Sequence, residues 1–125
     1  MPSSPTPQQP SITAMVAGEN TPLDLVTIRA TVRRALQERA ALPRASEIRE
    51  ITHTLRGHLQ LMLVEAQNRA GQLERGTEPW LGWVALIGRA RDDLDRDGGC
   101  GLRSAAAYMD DLGRTCRRLV DCLDE

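Results

Sequence analysis

The chain contains no lysine and no phenylalanine. Its 16 cationic side chains are all arginine, and two tryptophans and one tyrosine are its only aromatics. Lys and Phe codons are AT-rich, so codon usage in a GC-rich genome accounts for both absences, and the arginine count carries no argument for nucleic acid. The 17 acidic residues leave a net charge of -1. A phosphate-neutralising protein needs a basic excess, and none is present. Cysteine is sparse: Cys100, Cys116 and Cys122 form no Cys-x-x-Cys pair, and one must stay unpaired. Reduced thiols in a cytoplasmic protein are the expectation. No run of 18 apolar residues occurs, and the N-terminus has no signal-peptide core. The expectation is a soluble protein with no membrane partner.

At 125 residues the chain is one domain, long enough to bury a single core without disulfide or metal. Residues 1–20 are rich in Pro, Ser, Thr and Gln and poor in large apolar residues, which predicts a disordered tail. From residue 21 to 125 the apolar period is helical, and no segment alternates as a strand does. The first helix is expected from Thr21 as N-cap, with Pro22 in the first turn and Asp24 three residues after the cap. Its stripe is Leu25, Ile28, Val32, Ala35 and Leu36, and it should stop at Leu42-Pro43. The second starts at Ser46, carries Ile48, Ile51, Leu55, Leu59, Met62, Ala66, Ala70 and Leu73, and ends near Arg75-Gly76. The third follows Thr77-Glu78-Pro79, with Trp80, Trp83, Val84, Ile87, Ala90 and Leu94 facing inward, and ends at Asp97-Gly98-Gly99. The fourth carries Leu102, Ala105, Ala106, Met109, Leu112, Cys116, Leu119, Val120 and Leu123. The resulting fold class is all-α, an up-down antiparallel four-helix bundle.

No nucleophile–base pair, metal cluster or phosphate loop is legible, so no catalytic residue and no cofactor is assigned. Glu50 and His53 have the Glu-x-x-His spacing of bundle metal sites. Such sites need two copies of that motif, the chain has two His in all, and both residues point away from the apolar stripe. A solvated face is the better reading, and no metal is expected.

The run Thr54–Ala66 is apolar around the whole helix rather than along one stripe, and a helix of that kind is covered on several sides. Gly57, Leu61 and Val64 fall opposite the core stripe. Gly57 costs about 1 kcal/mol against Ala in a helix interior, so it calls for a reason, such as close approach of another backbone. The cover is either a neighbouring helix or another molecule, since exposed apolar patches mark contacts. These three residues, flanked by Arg56 and His58, form the expected interface with a partner protein or a second copy. His58 stands at the edge of the stripe, and Glu65 lies about 10 Å further along the axis. His58 either bonds a neighbouring helix or, as the alternative, lines a small-molecule pocket with Met62, Glu65 and Trp83. Trp80 and Trp83 read as aromatic core, not as a base-stacking platform. Asp110, Asp111, Arg114, Arg117, Arg118 and Asp121 read as a mixed-charge solvated face. Cys116 lies on the core stripe and should be inert, with Cys122 on the outer side and Cys100 in a loop.

Leu55-Arg56-Gly57-His58-Leu59 followed by Glu65 resembles a run in an uncharacterised actinobacterial family of small helical proteins. Ile87-Gly88-Arg89-Ala90-Arg91 and Leu112–Leu119 with Cys122 match its later motifs in order and spacing. The resemblance spans residues 22–123. It implies a helical fold and a GC-rich source, and its members are often labelled natural product biosynthesis proteins, a label that implies no particular reaction. The family commonly has Pro where this chain has Val64, so the second helix should run straighter here. The functional expectation is a non-enzymatic interaction or accessory module. A nucleic-acid-associated regulator is the least favoured alternative.

Overall fold

The structure is a computed structural model that describes residues 23–125. It contains four helices: α1, Leu25–Leu36; α2, Ala45–Gly71; α3, Glu78–Asp95; and α4, Leu102–Leu123. Among the described residues there is no strand. The expected tail over residues 1–20, and Thr21 and Pro22 as helix start, lie outside the described residues.

The start of α1 is capped by Asp24. Its Oδ1 accepts from the Thr27 amide at 3.1 Å, and its Oδ2 accepts from the Thr27 hydroxyl at 2.6 Å. One otherwise orphaned N–H is thereby satisfied. α1 stops at Leu36, six residues before Leu42, with Gln37 extended at ψ 145°. Beyond Leu36 no large apolar residue follows to pack until Leu42, so continuing the helix would bury nothing. Arg39 folds back instead, donating to the Arg34 carbonyl at 2.8 Å and pairing with Glu47 at 3.6 Å.

α2 begins at Ala45 and runs 27 residues to Gly71, short of the expected stop at Arg75-Gly76. Gly76, at φ 86°, serves the turn into α3. Thr77 caps α3, accepting from the Trp80 amide at 3.4 Å, with Pro79 in the first turn. Asp97 then accepts from the Gly99 amide at 2.9 Å, an Asx turn in which Gly99 takes φ 66°.

α2 and α4 form the central pair, and α1 and α3 each pack against both without touching one another. The core is built from Ile28, Val32 and Ala35 of α1, the Ile48–Met62 stripe of α2, Ala90 of α3, and Met109, Leu112, Cys116, Leu119 and Val120 of α4. Leu55 and Leu59 are fully buried, and truncating either to Ala would cost about 2–5 kcal/mol. A smaller cluster of Ala66, Ala70 and Ile87 is covered by Trp80 and Trp83.

Two positions expected in the core are exposed: Val84 on α3 and Leu102 at the first turn of α4. The buried positions of α3 are Ile87, Ala90 and Asp93, and Val84, one turn before Ile87, is left outside that stripe. Leu102 is the first residue of α4. Gly113 marks the closest approach of α1, since a Cβ there would lie 3.0 Å from Leu36 Cδ2 and 3.2 Å from Ala35 Cβ.

Candidate functional site

The outer face of α2 is open. Leu61 and Val64 are 60% and 59% exposed. A Cβ built on Gly57 would meet nothing within 4 Å, so no backbone of the described residues approaches it, and of the two covers considered for this face a neighbouring helix is not the one found. From Gly57 to Gln72 every exposed position is uncharged: Gln60, Leu61, Val64, Gln67, Asn68, Gly71 and Gln72. In a chain with 26% charged residues, this exposed stretch is depleted in charge. The two charges in this stretch, Glu65 and Arg69, are half-buried on the flank and pair with each other at 3.3 Å. Arg69 also donates to the Leu123 carbonyl at 3.1 Å, closing the end of α4.

Arg56, expected on the flank of this face, turns inward. Its guanidinium donates to the Tyr108 hydroxyl at 2.5 Å, the Leu94 carbonyl at 3.0 Å and the Arg96 carbonyl at 3.3 Å. The planar fork satisfies carbonyls left open where α3 ends. Arg56 is therefore a tie between α2, α3 and α4 and does not belong to the exposed face.

The four residues of the expected pocket each have partners within the fold. His58 Nε2 lies 3.1 Å from the Thr31 hydroxyl on α1. That hydroxyl donates to the Thr27 carbonyl at 3.2 Å, so it accepts from His58, which fixes the Nε2–H tautomer. Burial lowers the His58 pKa below 6.5, and the Asp24 carboxylate pulls it partly back. Met62 is fully buried, Glu65 is taken by Arg69, and Trp83 packs on α3's side of α2. The bond to a neighbouring helix is the arrangement found for His58. Glu50 and His53 face solvent, and Glu50 lies 3.7 Å from Arg34.

A buried polar cluster at the α3–α4 corner escaped the sequence reading. Asp93 is 4% exposed. One carboxylate oxygen accepts from the Thr115 hydroxyl, and the other accepts from Arg96 at 2.8 Å. The Tyr108 hydroxyl donates to the Asp93 carbonyl at 2.6 Å, and the Arg96 guanidinium stacks 5.4 Å over the Tyr108 ring. A signal existed in Tyr108 itself, the chain's one tyrosine, one residue before core Met109: a buried phenol needs a partner for its hydroxyl. Asp93 gave none, because a carboxylate at the edge of a helical stripe looks like a solvated residue. Beside this cluster, Cys116 Sγ donates to the Leu55 carbonyl at 3.7 Å, and burial pushes its thiol pKa up to about 12.

The expected mixed-charge face of α4 is less mixed than its sequence. Asp110 pairs with Arg114 at 2.9 Å, Asp111 with Arg96 at 3.5 Å and Asp121 with Arg29 at 2.8 Å. Arg114 and Arg118 line an open groove of about 650 Å³ between α3 and α4, with Arg89 opposite.

Fold and surface together define an all-helical domain with a buried polar tie at one corner and an open, charge-free face on its longest helix. A family model described as a family of unknown function (DUF6415) matches residues 26–125, and the chain belongs to that family. No curated protein and no solved structure matches it. No helix among the described residues is long and apolar enough to cross a membrane.

Proposed function

We propose that this chain is a non-enzymatic interaction module working through the outer face of α2. The observation that carries the proposal is the exposure of Leu61 and Val64 within a face whose every exposed position from Gly57 to Gln72 is uncharged. An exposed leucine alone says little, but aliphatic side chains on a charge-depleted helix face mark a contact surface. The up-down antiparallel bundle is the arrangement proposed to present this face. Arg29 near the start of α1 reaches Asp121 and Asp124 at the end of α4, whereas Leu36 at its end lies against Gly113. Arg56 meets the end of α3, whereas Ala66 and Ala70 pack with Ile87. The resemblance noted from the Leu55–Leu59 run links this reading to actinobacterial specialised metabolism, and three cysteines without a Cys-x-x-Cys pair accord with a cytoplasmic setting.

Affinity capture from the native host tests this reading, comparing the wild-type chain with Leu61→Asp and with Val26→Asp, which alters an exposed apolar residue elsewhere. The expected result is loss of bound protein with Leu61→Asp alone, at unchanged helicity by circular dichroism. Equal capture by all three chains overturns it.

A further inference from the structure

We infer that the occupant of the α2 face is the α2 face of a second copy of this chain. The inference rests on the interaction-surface reading above and names its partner. Gly57, Leu61, Val64, Asn68 and Gly71 follow one another at steps of four, three, four and three residues. That is the seam by which one helix packs along another of the same period. Leu61 and Val64 are the seam's two large apolar residues and stand out at 60% and 59% exposure. At both ends the seam narrows to glycine, and a Cβ at Gly57 or Gly71 would meet nothing within 4 Å. A facing backbone therefore has room to come close where the aliphatic pair ends.

The polar residues around the seam choose the partner. Gln60, Gln67, Asn68 and Gln72 are exposed and are all amides. An amide carries both a donor and an acceptor, so it satisfies an identical copy of itself, which a carboxylate or a guanidinium does not. A charged partner surface finds no counter-charge here, because Glu65 and Arg69 are already paired at 3.3 Å. A face free of charge meets itself without repulsion, and a two-fold axis requires a surface that complements itself. Asn68 occupies a seam position, where a single polar residue fixes register and limits the assembly to a defined number of helices. The outer face of α4 offers the contrast: its exposed Arg117 and Arg118 pair with no carboxylate among the described residues and would repel a second copy.

Light scattering on the full chain at about 100 µM, well above a micromolar Kd, combined with disulfide scanning, tests the pairing. The wild type should have twice the monomer mass of 13.8 kDa, and Leu61→Asp should be monomeric with its helicity intact. In a Cys100→Ser, Cys122→Ser background, Leu61→Cys and Val64→Cys, each alone or the two mixed, should oxidise to a covalent dimer, whereas Ala107→Cys, exposed on α4, should not. Self-linkage at both α2 positions reports parallel helices. Linkage of the two variants only when mixed reports antiparallel ones, and either supports the pairing. A wild-type monomer, or a dimer that survives Leu61→Asp and links at neither α2 position, overturns it. A monomer that still captures a different protein in a Leu61-dependent way removes the second copy and leaves the interaction surface standing. A monomer whose capture ignores Leu61→Asp removes both.

Discussion

Arg56 on α2 donates to the hydroxyl of Tyr108 on α4 across 2.5 Å, and the same guanidinium holds the Leu94 and Arg96 carbonyls at the end of α3. One side chain thus joins three helices at a corner where the hydrophobic core is thin, since α3 gives the main cluster only Ala90 as a fully buried apolar residue. The fold depends on this tie more than a surface arginine would suggest.

Arg56→Met should therefore destabilise the chain by about 2–3 kcal/mol, because a charged donor is lost and the half-buried Leu94 carbonyl loses its guanidinium partner. For a domain this size that is a fall in Tm of roughly 10–20 °C. Tyr108→Phe, which removes one hydroxyl and keeps the ring, should cost about 1–2 kcal/mol. Urea denaturation of both variants and of the double variant checks the coupling: if the residues act as one tie, the double loss falls short of the sum. Additive losses would show that they act separately.

The core stripe of α2 was legible because seven apolar residues from Ile48 to Ala70 recur at helical spacing and all seven are buried. The Arg56–Tyr108–Asp93 tie was not legible, because its members lie on three segments and each looks like a surface residue on its own helix. The end of α1 was misplaced for a related reason. Pro43 restricts only the residue before it, whereas the helix stops where its packing stops, at Leu36. Of the candidate residues, Leu61 and Val64 do lie exposed, because a helix's outward face follows from the same period as its core. Arg56 was not, because spacing places a side chain on a flank without saying what its far end reaches.

Cys116 should be inert to a thiol reagent in the native chain. Its thiol is fully buried and burial lifts its pKa to about 12, so almost no thiolate exists at neutral pH. Cys100 is exposed and Cys122 half-buried. Titration with Ellman's reagent should count two thiols per chain under native conditions and the third only in denaturant. A fast third equivalent in the native state would mean that α2 and α4 part readily at Leu55.

Stability should fall as pH drops below about 6.5, the ordinary His value, with His58 as the source. Burial holds the folded imidazole's pKa below that value. The unfolded chain therefore binds its proton first, and acidification favours unfolding until the folded imidazole is also protonated. Below that point the dependence on His58 flattens. Chemical denaturation at several pH values between 5 and 7 should show the slope in the wild type and a reduced slope in His58→Gln. An unchanged slope in His58→Gln would assign the effect elsewhere.

Gly57→Ala should raise the stability of the isolated domain by about 1 kcal/mol, the usual difference between Gly and Ala in a helix interior. The gain should be realised almost in full, because the added Cβ meets nothing within 4 Å. Gly113→Ala offers the matched control. It makes the same backbone change in α4, but its Cβ would press to within 3.0 Å of Leu36 and 3.2 Å of Ala35, so crowding offsets the gain in propensity. Measured at low protein concentration, where chains are single, Gly57→Ala should move the urea midpoint up and Gly113→Ala should not. If the glycine is kept so that a second α2 lies close, Gly57→Ala should at the same time weaken dimerisation at high concentration. A variant that gains stability and pairs as well as the wild type would show that the seam does not close at Gly57.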